Sequence, residues 1–175
     1  MNDAEIEAIV VSLSSHLSSS SLILLRDGAD RIEGLFRLVV DLDLDGAIVS
    51  VATPGGGRAA AALPRIGLAS RAMGLDAQGR IIGIELEKQP SAEDLIIVRA
   101  SGCSFVVGPI DEENKISDIS ETIIPEIAGI MKEAGLSNFH NVGRRILRAK
   151  DMETAAISGL RLIGFERPLP MWLGN

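Results

Sequence analysis

Apolar and polar positions alternate most clearly over residues 34–53. There Phe36, Leu38, Val40, Leu42 and Leu44 interleave with Arg37, Val39, Asp41 and Asp43. A period of two is the signature of a half-buried strand. Asp45-Gly46 follows, a pair suited to the left-handed positions of a tight type I′ turn. Folding at that turn sets Leu44 against Ala47, Leu42 against Val49 and Val40 against Val51, all on one face. The pattern predicts one long β-hairpin on which the rest of the chain packs.

Elsewhere the apolar positions change period. Ile6, Ile9, Val10, Leu13 and Leu17 form one stripe, and Asn2 with Glu5 resembles a capping box, so residues 2–17 predict an amphipathic helix. Seven of the ten residues from 12 to 21 are serine, and serine hydroxyls compete for backbone groups, so 18–21 reads as a linker. Residues 22–25 predict a short strand closed by Asp27-Gly28. A helix is expected over 64–73, with Pro64 in its first turn and Gly74 as its stop. Ile82, Ile84 and Leu86 share a strand face after the turn at 75–79. Residues 95–100 and 103–107, joined at Ser101-Gly102, predict a second hairpin.

Beyond the acidic loop 109–115, Ile127, Ile130, Met131 and Ala134 place a helix over 123–134 that Gly135 closes. Asn138 or Asn141 is a candidate cap for a helix carrying the arginines of 144–148. Asp151 caps a short helix that stops at Gly159, and 160–165 returns as a last strand. The sum is one α+β domain over 1–175: a mostly antiparallel sheet of about six strands with helices packed on one side. Its parts are a sheet-rich front (22–108), a helical back (117–158) and a C-terminal tail (166–175).

Composition narrows the functional classes. Hydrophobic residues make up 46% of the chain, enough for a folded core. There is no Tyr and only four Phe and one Trp, so the core is aliphatic and a base-stacking or sugar-stacking surface is disfavoured. The net charge of −7 is uneven: residues 1–135 hold 21 acids against 11 bases, and 136–175 hold 3 against 6. An acidic body and a basic end region can complement one another between copies or hold an anion. The single cysteine, Cys103, excludes an internal disulfide. The acidic N-terminus is no secretory signal and no apolar run reaches the roughly 20 residues of a membrane span. A cytoplasmic setting, or one within a virion, is expected, with no membrane partner.

Four groups of residues carry candidate chemistry. Asp41, Asp43 and Asp45 before Gly46 spell the carboxylate spacing of a calcium loop, but Ala52 stands where the bidentate glutamate belongs. Gly55, Gly56, Gly57 and Arg58 offer backbone N–H groups and a guanidinium to an anion, without the Lys-Ser/Thr ending of a Walker loop. Arg144, Arg145, Arg148 and Lys150 form a basic surface suited to phosphate or to an acidic neighbour. Met171, Trp172 and Leu173 form an apolar hook suited to a neighbour's groove.

Catalytic machinery is not legible. His16 lies among serines, His140 and Cys103 have no recognisable partner, and Glu85 with Glu87 reads equally well as an exposed strand face. No catalytic residue and no cofactor is indicated, which weakens the enzyme case. The leading expectation is a non-catalytic, self-associating structural or assembly subunit of a larger intracellular or viral complex. Its partner would be itself or a larger protein assembly. Two alternatives come from other classes: an enzyme or phosphate-binding domain using the 53–58 glycine loop, and a nucleic-acid-associated protein using the basic 144–150 segment.

Overall fold

The computed structural model describes residues 3–18, 20–52, 58–109 and 116–167. After helix α1 (Asp3–Ser14) the chain alternates strand and helix: β1 (Leu24–Gly28), α2 (Ile32–Asp41), β2 (Gly46–Ser50), α3 (Ala59–Ala72), β3 (Ile81–Glu85), α4 (Ala92–Ala100), β4 (Phe105–Val107) and α5 (Ile116–Glu133). Two 3₁₀ turns (Phe139–Asn141 and Arg144–Ile146) and a short helix α6 (Met152–Ser158) complete it. The four strands form one sheet in chain order, every neighbouring pair parallel.

This overturns the mostly antiparallel six-stranded sheet expected from the sequence. The expected hairpin over 34–53 is instead α2, a loop and β2. Ile32, Leu35, Phe36 and Val39, spaced i, i+3, i+4 and i+7, are all buried, whereas Val40 is exposed. The two patterns run through the same segment but share only Phe36, and packing selects the helical stripe. Gly46 does not turn the chain. A Cβ there would lie 1.8 Å from the Ile81 carbonyl oxygen, so glycine is required by the closeness of β2 and β3. The left-handed residue of this connection is Asp43 (φ 53°). The expected second hairpin is likewise α4 followed by β4, with Ser91 and Asp94 forming a capping box at the start of α4.

Other boundaries shift less. The expected helix over 64–73 begins earlier, at Ala59, so Pro64 lies inside α3. The expected helix carrying the arginines is only a 3₁₀ turn, with Asn138 accepting from His140 N–H one turn before it. The expected last strand reduces to a single bridge, Ala149 to Leu162. Asp151 and Gly159 do cap and stop α6 as the sequence indicated.

Parallel neighbours need crossovers, and right-handed crossovers in a sheet of sequential order put their helices on one face. The core follows that rule. Ala47, Val49, Ile82 and Ile84 pack with Ile32, Phe36 and Val39 of α2, Leu63 and Ile66 of α3 and Val98 of α4. Truncating the fully buried Phe36 to alanine would cost about 3–5 kcal/mol. A second cluster joins Ile96 and Ala100 of α4 to Ile127, Ile130 and Met131 of α5 and to Phe139, Val142 and Leu147. No helix among the described residues is long and apolar enough to cross a membrane.

Candidate functional site

In β2 and β3 the residues between the core-facing ones point to the other side of the sheet. That face presents Leu24, Ile48, Ile81, Phe105 and Val107, and none of these joins either apolar cluster. They are half-buried, and Val107 is exposed. The Phe105 ring occupies the space over Gly83, where an added Cβ would lie 2.3 Å from the ring. Glycine in β3 therefore lets an aromatic ring lie flat on the sheet.

The carboxyl end of the same face is polar. Arg26 of β1 bonds Glu85 of β3 (Nε to Oε2, 2.9 Å), and its second guanidinium nitrogen lies 3.4 Å from Ser50 Oγ of β2. Ser50 is buried and Glu85 is its register partner. The Ser50 hydroxyl, chiefly, holds the Glu85 carboxyl below the usual glutamate range; desolvation opposes it and the Arg26 guanidinium adds to the lowering. The carboxyl ends of parallel strands are where ligands bind in open α/β sheets. Here the three side chains satisfy one another.

The candidate residues read from the sequence do not converge. Asp41 ends α2 and lies 4.0 Å from Arg37, Asp43 pairs with Arg80, and Asp45 Oδ2 accepts from Ile23 N–H at 2.8 Å. Asp45 thereby aligns the start of β1 beside β2. Among the described residues no group of three His, Cys, Asp or Glu side chains is placed to hold a metal ion. Arg58 precedes α3 and pairs with Glu153 of α6 at 2.9 Å. Gly55, Gly56 and Gly57 lie outside the described residues, as do Met171, Trp172 and Leu173.

Arg144, Arg145 and Arg148 do come together, and Arg161 joins them around a cleft of about 380 Å³. Lys150 lines an adjoining, largely apolar cavity of about 290 Å³ between α3, α4 and α6. Arg161 lies thirteen positions after Arg148 with no local pattern to join them; the Ala149–Leu162 bridge brings the two segments together. Cys103 is buried and burial pushes its thiol up to about 12, which makes it a core residue rather than a nucleophile. His16 is exposed, with Nδ1 2.8 Å from the Ser12 carbonyl oxygen.

Arg26, Ser50 and Phe105 also escaped the sequence reading. Their shared face follows only from the in-register parallel pairing, for which no local motif exists. Against this geometry, no protein-family model, no curated protein and no solved structure matches the chain.

Proposed function

We propose that the protein is a self-associating subunit whose free sheet face is closed by a second copy of the same chain. One observation carries this reading: a parallel sheet with helices on one face and Leu24, Ile48, Ile81, Phe105 and Val107 on the other. All-parallel sheets occur almost only with both faces covered. Four sequential strands with the helices outside make half of the eight-stranded parallel barrel, whose interior is a packed core of such side chains. Among the described residues, β1 and β4 each pair on one side only. A two-fold axis along the strand direction would set β1 of one copy beside β4 of the other, twice, and leave no edge. Arg26 and Glu85 would then sit at one rim of the shared interior, already paired.

The test uses two chains that each carry one added cysteine, Leu24→Cys and Val107→Cys, at opposite sheet edges. Cys103 stays silent because it is buried. Mixed and treated with a bis-maleimide, the two are expected to give a cross-linked heterodimer in preference to either homodimer. No cross-link, or no preference for the mixed product, would refute the arrangement. Deleting 168–175 separates this interface from a tail-mediated one, since the sheet-face dimer should survive the deletion.

A further inference from the structure

The arginine cleft and its neighbouring cavity have no part in closing the sheet. The two spaces are continuous in their lining: Arg144, Arg148, Leu147 and Leu160 border both. The larger space adds Arg145 and Arg161, and the smaller adds apolar surface from Ala60, Leu63, Pro64 and Ile97.

Among the described residues no ion pair reaches Arg144, Arg145, Arg148, Lys150 or Arg161. Asp151, a carboxylate in the lining of the smaller space, accepts from the Thr154 N–H (2.7 Å) and hydroxyl (2.9 Å). Glu153 is taken by Arg58. Two arginines are held by backbone rather than by acids: Arg144 donates to the Ser158 carbonyl oxygen, and Arg148 Nη1 donates to those of Arg145 and Leu147, both at 2.7 Å. Such bonds order a guanidinium without neutralising it. A chain with net charge −7 thus sets four arginines around one cleft, with Lys150 and Asp151 in the lining of the adjoining space. Guanidinium groups so placed attract an anion, whose charge-assisted hydrogen bonds would offset their mutual repulsion.

From this juxtaposition we infer a binding site for a soluble organic phosphate with an apolar body: the phosphate among Arg145, Arg148 and Arg161, the apolar part against Ala60, Leu63 and Ile97. Arginine forks match phosphate oxygens, and the apolar cavity is at the small end of the usual range for ligand pockets, about 300–1,000 Å³. Inorganic phosphate alone would leave the apolar space unfilled, and an uncharged chain would leave the cations bare.

Calorimetry with octyl phosphate, kept below its micelle concentration, tests the inference on the full chain. Octyl phosphate is expected to bind saturably at one site per chain, at least tenfold tighter than inorganic phosphate or octanol. Arg145→Gln with Arg161→Gln, both exposed side chains, should weaken it at least tenfold while circular dichroism stays unchanged. Ala60→Trp, which fills the apolar cavity from an exposed position, should weaken octyl phosphate and leave inorganic phosphate binding as it was. Equal affinity for octyl phosphate and inorganic phosphate would mean no composite site and overturn the inference. So would octyl phosphate binding that the arginine pair does not affect. Co-sedimentation with phosphatidic acid vesicles in the absence of monomeric octyl phosphate binding would point to a membrane surface, and overturn it as well.

Discussion

Two glycine substitutions distinguish the parallel fold from the hairpin that the sequence suggests. An added Cβ at Gly46 meets the Ile81 carbonyl oxygen at 1.8 Å and the carbonyl carbon at 2.8 Å. Both atoms are backbone in the adjacent strand, so no rotamer change relieves the contact and β2 must move away from β3. That motion strains the bond from Ile81 N–H to the Asp45 carbonyl oxygen (2.9 Å) and the sheet pairing beyond it. Overpacking usually costs about 1–3 kcal/mol, and a backbone clash places Gly46→Ala near 3 kcal/mol. For a chain of this size that is a fall in melting temperature of roughly 6–12 °C. Gly34 is the opposite case: it lies in the first turn of α2 with nothing within 4 Å of an added Cβ. Gly34→Ala should stabilise by about 0.5 kcal/mol, through helix propensity alone. Thermal melts followed by circular dichroism measure both. If Asp45-Gly46 were a hairpin turn, Gly46→Ala would cost only the left-handed penalty, about 1–2 kcal/mol, and Gly34→Ala would gain nothing. That outcome would refute the assignment of α2 and β2.

Three further outcomes are expected. Glu85→Gln should lower stability at neutral pH, and the gap to wild type should close on acidification. The Glu85 carboxyl titrates below its ordinary range, so its contribution is complete above the unfolded pKa of about 4.3 and is lost as pH falls through the folded value. Melts between pH 7 and pH 3 show this, and a gap independent of pH would contradict the Arg26–Ser50–Glu85 account. Cys103 should resist thiol reagents in the native protein and react once it is unfolded, and rapid native labelling would contradict its burial. Ser91→Ala removes the capping box of α4 and should cost about 1 kcal/mol by chemical denaturation; no measurable loss would contradict the cap.

Local chemistry made some elements legible and left the sheet hidden. Asp151 and Gly159 announced α6, and Gly135 closed α5, because caps act within a few residues. The alternation of Ile82, Ile84 and Leu86 after the turn at 75–79 is a local signal as well, and β3 forms there. Residues 32–41 are ambiguous because the strand alternation of Phe36, Leu38 and Val40 overlies the helical stripe of Ile32, Leu35, Phe36 and Val39, and Asp45-Gly46 offers turn chemistry where the structure needs a close strand contact. Once 32–41 and 92–100 are both given to helices, the alternation of strands and helices through β4 follows and parallel order with it. The basic cluster was visible at Arg144, Arg145, Arg148 and Lys150, whereas Arg161 and the apolar cavity arise from tertiary packing alone.

The central claim is that the free sheet face is an interface between two copies. Sedimentation of wild type and Ile48→Lys across a dilution series tests it most directly. Ile48 is half-buried on that face and outside both apolar clusters, so lysine there should leave the monomer folded. Wild type is expected to be a dimer and Ile48→Lys a folded monomer at the same concentration. A wild-type monomer at every concentration, or a dimer that Ile48→Lys leaves intact, would contradict it.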